Sequence, residues 1–126
     1  MPRSQLKIAV VTDIHHGAIS KTKIGPAALG LLNKFVDFAN EWDADIVVDL
    51  GDRISDRDNE TDRGLTADVA GVFQRVGVPR RHILGNHDLE FMTAEEGEEL
   101  LGVSMLSESI DVNGYHLVFW QADTHI

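Results

Sequence analysis

An α/β fold, with a mainly parallel sheet followed by a C-terminal hairpin, is predicted by three features of this chain. Apolar runs of strand length at residues 6–12, 46–50 and 82–84 alternate with two stretches of helical periodicity. Repeated strand–helix–strand units imply a parallel sheet with right-handed crossovers. Near the end, residues 110–112 and 115–120 flank Asn113-Gly114, a pair suited to the two positive-φ positions of a type I′ turn.

Each element has its own justification. The first strand contains Ile8-Ala9-Val10-Val11, a continuous apolar run expected of a strand covered on both faces. Residues 20–25 read as a polar loop, and Pro26 suits the first turn of a helix. Ala28, Leu32, Phe35, Ala39 and Trp42 then mark one face at helical spacing. A second helix over residues 62–76 repeats the pattern with Leu65, Val69, Val72 and Val76, ending at Gly77 with Pro79 two residues on. Residues 53–62 form a long polar loop. Residues 93–101 read as a short acidic helix whose Glu95, Glu96, Glu98 and Glu99 are a solvated face. Trp42 and Trp120 are expected as core or interface aromatics.

Composition bounds the function. With 126 residues, 43% of them hydrophobic, the chain is one domain at most and long enough for a core. A charged fraction of 25% beside this apolar content argues against disorder. The net charge of −10 disfavours non-specific nucleic-acid binding, which needs Lys and Arg to neutralise phosphates. Absence of cysteine excludes a disulfide framework and is compatible with the cytoplasm, where the protein is expected. No signal-peptide pattern precedes the first strand, and no apolar run approaches the roughly 18 residues of a membrane span.

The chemistry lies in three strings, each following a predicted strand: Asp13-Ile14-His15, Gly51-Asp52-Arg53 and Gly85-Asn86-His87-Asp88. Sites of open α/β sheets are built at such strand ends. Mixed carboxylate, imidazole and amide donors suit divalent transition ions better than an all-oxygen Ca²⁺ or Mg²⁺ cage. Asp13 and His15, two apart, share one side if the backbone is extended. Asp52 has two oxygens and can bridge two cations. Asn86 offers a neutral oxygen, His87 is a titratable group beside the metals, and Asp88 could orient its ring. Gly51 and Gly85 would permit positive φ and close backbone approach. Singly, Asp13, Asp52 and Asn86 read as turn residues; the ordered triple points to a metal site. His16 is expected as a loop residue near the site, and His82 and His116 as packed or surface imidazoles. Arg53 and Arg57 could reach a phosphate or lie solvated in their loop. Asp123-Thr124-His125 repeats the Asp-x-His spacing but reads as a strand terminus.

In their order, Asp-x-His, Gly-Asp and Gly-Asn-His-Asp resemble the motifs of the calcineurin-like metallophosphoesterases, from Leu6 to about Asp88. The resemblance implies a metallophosphoesterase-like sandwich of two sheets with helices outside. It implies that Asp13 and His15 hold a first metal, Asp52 bridges, Asn86 holds a second, and His87 acts on the leaving group or transferring phosphate. The implied cofactors are divalent Mn, Fe or Zn, and the substrate a small phosphomonoester or phosphodiester hydrolysed by a metal-bound hydroxide. The family's later His and Gly-His-x-His blocks have no counterpart among His15, His16, His82, His87, His116 and His125. The expectation is therefore one incomplete domain over residues 1–126, with ligands for one metal and fewer for a second. The alternative is a non-catalytic metal-binding module that self-associates. A homo-oligomer burying Phe119 or Trp120 is expected, with a partner's His116 or His125 able to reach the second metal.

Overall fold

Three short strands, β1 (Ile8–Val11), β2 (Ile46–Asp49) and β3 (Arg80–His82), form a parallel sheet with β2 at its centre. This computed structural model describes residues 5–122, so the Asp123-Thr124-His125 string lies outside the described residues. Ile8 pairs with Ile46, and Asp49 with His82. A 3-10 turn at Gly25–Ala27 carries Pro26 and leads into α1 (Ala28–Glu41); α2 (Asn59–Phe73) follows β2. Short helices α3 (Asn86–Leu89) and α4 (Ala94–Leu101) precede the antiparallel hairpin of β4 (Glu108–Val112) and β5 (Tyr115–Phe119). Asn113 and Gly114 both take positive φ (50° and 80°), as the predicted turn requires.

The main core lies between the sheet and the two long helices. Ala9 and Val47 meet Leu32, Val36, Val69 and Phe73 there. Burial of each large side chain contributes about 1.5–3 kcal/mol. On the opposite sheet face the hairpin sets Phe119 against Ile46 and Val48. No helix among the described residues is long and apolar enough to cross a membrane.

Several local expectations are corrected. β1 is covered on one face only: Ala9 is buried, but Val10 is 51% exposed. In α1 the buried stripe is Ala28, Leu32, Val36 and Ala39; Phe35 is only partly buried. Of core and interface, only the core is excluded for the two tryptophans: Trp42 is at the surface, stacked on Phe38, and Trp120 is 73% exposed. Helix α2 begins three residues early because the Asp58 side chain accepts from the Thr61 N–H and caps it. The third strand ends at His82. Ile83 N–H still reaches the Asp49 carbonyl (2.7 Å), but the Gln121 amide then takes over the edge. Its Oε1 accepts from Leu84 N–H (2.8 Å) and its Nε2 donates to the His82 carbonyl (2.9 Å).

Candidate metal centre

At the carboxyl end of the sheet the chain builds two tiers of polar groups. The lower tier begins at Asp49, a fully buried acid ending the otherwise apolar β2. Its Oδ2 accepts from Arg53 Nη1 (2.8 Å) and faces His82 Nδ1 at 2.8 Å. Arg53 is also buried; Nη1 donates to the Ile83 carbonyl (3.0 Å), and Nη2 lies 3.4 Å from Asp88. Arg53 is thus a structural cation, neither a phosphate ligand nor a solvated loop residue. Arg80 Nη1, which can only donate, is 2.7 Å from His82 Nε2. That fixes the neutral tautomer of His82, with Nδ1–H donated to Asp49.

Protonation follows this geometry. Burial pushes the Asp49 carboxyl up, but Arg53 and His82 outweigh it and hold the group below the usual carboxylate value. Burial, with the cations Arg53 and Arg80 nearby, lowers His82 despite the opposing pull of Asp49. Asp88 is raised by burial, and Arg53 only partly offsets this.

Asp88 has a different job from the expected one. Its carboxylate accepts from Asp52 N–H (2.8 Å), Arg53 N–H (3.0 Å) and Gly85 N–H (2.8 Å), tying the second and third strand-end turns together. These turns pass too closely for side chains. A Cβ on Gly51 would sit 2.5 Å from Gly85 N, and one on Gly85 would sit 2.2 Å from Asp52 Oδ1. Gly51 also has φ 101°, whereas Gly85 needs only the space.

The upper tier sits on this floor. Beyond the strands, the first and second turns run side by side through Asp13 N–H to Gly51 O (3.0 Å), His15 N–H to Asp52 O (3.1 Å) and His16 N–H to Arg53 O (3.0 Å). Asp13, His15 and Asp52 adopt left-handed φ values of 54°, 48° and 55°. Extended backbone therefore does not bring Asp13 and His15 together, but a strained ladder does, with Asp13 Oδ1 3.4 Å from His15 Nε2. Such conformations cost about 1–3 kcal/mol each and cluster at functional sites.

Ligand-type atoms of His15, Asp52 and His87 all lie within 4.8 Å of one another, which lets them share an ion. His15 Nδ1 is buried without a hydrogen-bond partner. An orphaned imidazole nitrogen within a carboxylate–imidazole set fits a divalent transition ion. His15 and His87 rings meet edge to face at 5.1 Å. His87 N–H donates to Asp52 Oδ1 (3.1 Å), and its ring Nδ1 is hydrogen-bonded to Asp56, not Asp88. Asn86 opens α3 and is exposed. His16 is close by and bonded to Asp68 (3.0 Å), while His116 pairs with Asp111 on the surface.

Two residues escaped the sequence reading. Asp49 had a signal: an acid inside the apolar run Ile46-Val47-Val48-Asp49-Leu50 has to find a buried partner. Asp56 had none beyond membership of a polar loop.

A parallel sheet with acid and imidazole turns at its carboxyl ends defines an α/β protein equipped to hold divalent ions. The chain belongs to the calcineurin-like phosphoesterase family, whose model it matches over residues 6–122. Among solved structures it is similar to a dimetal phosphatase from Danio rerio, with a TM-score of 0.64 at 17% identity. That alignment covers 75% of this chain and 33% of the other, so the chain spans about a third of that protein's length. At this identity the likeness speaks for the fold. A comparison with curated proteins finds no match.

Proposed function

We propose that this chain carries the metal-binding floor of a phosphoesterase centre that hydrolyses a phosphomonoester or phosphodiester. The observation that carries the reading is the convergence within 4.8 Å of His15 and Asp52, both on left-handed backbone, with His87 of α3. Asp13, His15 and Asp52 would hold one divalent ion, and Asn86 with Asp52 would contribute to a second. Such ions, when bound, supply an activated water and neutralise phosphoryl charge. The Asp52 carboxylate, which would bridge the two ions, accepts from the His87 N–H and is held in place by it. His87, held by Asp56, gives a proton to the leaving oxygen as the phosphorus–oxygen bond breaks. Metal identity among Mn, Fe and Zn, and a cytoplasmic setting, belong to the same proposal.

The uncovered apolar sheet face supports a second element of this reading, self-association. Val10, Leu50, Val118 and Trp120 are exposed around a groove of about 430 Å³. Sedimentation showing a stable monomer at micromolar concentration would remove it.

Kinetics test the central proposal. With Mn²⁺ present, His87→Ala should lower turnover of alkyl phosphates by about 10²–10⁴-fold and of activated aryl phosphates by less. Equal losses across the leaving-group series would remove the proton-donor role. Absence of any metal-dependent hydrolysis by the unmodified chain would favour the non-catalytic module.

A further inference from the structure

A cleft of about 450 Å³ opens directly beside the candidate centre, and His87 and Asp56 belong to its wall. Its lining also includes Lys23 and Arg57, together with the apolar Leu65 and Ala18. His87 belongs both to this cleft's lining and to the candidate centre, so a leaving group that takes its proton would have the cleft beside it.

The charges in this cleft are not equivalent. Asp56 and Asp68 face it, but each is hydrogen-bonded to an imidazole, His87 and His16 respectively. The two cations have no such commitment. Arg53, Arg63, Arg75 and Arg81 each pair with a carboxylate, and Arg80 bonds a carbonyl and His82. Among the described residues, Arg57 is the one arginine whose guanidinium makes neither a hydrogen bond nor an ion pair; its charge lowers the neighbouring Asp58 carboxyl, as the smallest of the influences on that group. Its backbone is nevertheless anchored, since Arg57 N–H donates to Asp62 Oδ1 (2.8 Å). Lys23 is likewise fixed at its base by a reciprocal pair with Ser20, N–H to carbonyl in both directions at 3.1 and 2.8 Å. In a chain of net charge −10, Lys23 and Arg57 are cations without side-chain partners on one cleft and are available to an anion, while Asp56 and Asp68 of the same lining are turned to His87 and His16.

We propose that this cleft is a leaving-group subsite and that Lys23 and Arg57 select phosphate esters whose leaving group bears a second, non-reacting phosphoryl group. The inference rests on the phosphoesterase reading and adds the substrate class. Arg57 presents a planar fork suited to two phosphoryl oxygens, and Lys23 a point charge. Leu65 and Ala18 offer apolar contact to the carbon skeleton between the two phosphoryl groups.

The matched substrates are 3-hydroxypropyl phosphate and propane-1,3-diyl bisphosphate, which share the scissile bond. With Mn²⁺, the unmodified full chain should prefer the bisphosphate by about tenfold to a hundredfold in kcat/KM. In the double variant Lys23→Gln, Arg57→Gln that preference should fall to the statistical ratio for two equivalent esters. A readout independent of turnover is the amide NMR titration with the bisphosphate, whose shifts should centre on Lys23 and Arg57 and weaken in the double variant. Turnover of both esters without preference, or a preference untouched by the double variant, overturns the subsite alone. Saturable binding at Lys23 and Arg57 without turnover of either ester supports the anion subsite and overturns the hydrolase reading. Neither binding nor turnover overturns both.

Discussion

The two tiers at the end of the sheet use the same side-chain chemistry for opposite purposes. In the lower tier Asp49, Arg53, His82 and Asp88 are buried and engaged with one another or with backbone N–H groups. In the upper tier Asp13 and Asn86 are exposed, His15 leaves a ring nitrogen unpaired, and three backbones sit in left-handed conformations. The lower tier therefore stabilises the turns, and the upper tier is held in a geometry it would not choose alone. Substitutions in the lower tier should cost stability; those in the upper tier should cost chemistry.

The largest effect should come from Arg53→Met. The change leaves Asp49 and Asp88 buried with their shared cation gone, and breaking a buried pair in this way costs about 3–5 kcal/mol. Urea denaturation measures it. A loss below about 1 kcal/mol, the range of surface ion pairs, would mean that the lower tier is not the scaffold described here.

Next comes a pH effect located at His82. Folding holds its pKa below the ordinary 6.5, so the unfolded chain takes up a proton that the folded protein resists. The group's contribution to stability is thus present above pH 6.5 and is lost as pH falls below it, until the folded imidazole also protonates. His82→Asn keeps a donor for Asp49 but does not titrate, so its stability should fall less steeply over that window. An identical slope in both proteins would contradict the assignment.

The smallest stability change belongs to the upper tier. Asp13→Asn and His15→Asn introduce a residue that tolerates left-handed φ, so each should shift stability by less than about 1 kcal/mol. The same variants should lose metal. A large stability loss without metal present would erase the distinction between the tiers.

Much of this was legible in the sequence. The order of strands and helices, the hairpin turn and the three polar strings follow from period, turn chemistry and spacing. The arrangement of the site was less accessible, because it depends on contacts between residues distant in sequence. Arg53 looked like a loop arginine until Asp49 and Asp88, four residues back and 35 ahead, were seen to enclose it. Asp88 looked like the partner of its neighbour His87, yet Asp56 holds that position from across the fold. Covered and uncovered sheet faces were also indistinguishable, since Ile8-Ala9-Val10-Val11 reads the same whether one face is packed or two.

If the upper tier is a metal centre, as proposed, Asp52 is the residue through which it would hold a divalent ion. Elemental analysis after saturation with Mn²⁺ or Zn²⁺ and gel filtration tests it in the unmodified chain and in Asp52→Asn, which preserves shape while removing the charge. Retained metal is expected in the unmodified chain and little or none in Asp52→Asn, with the two equally folded by circular dichroism. Equal metal content in both, or none in the unmodified chain, would contradict it.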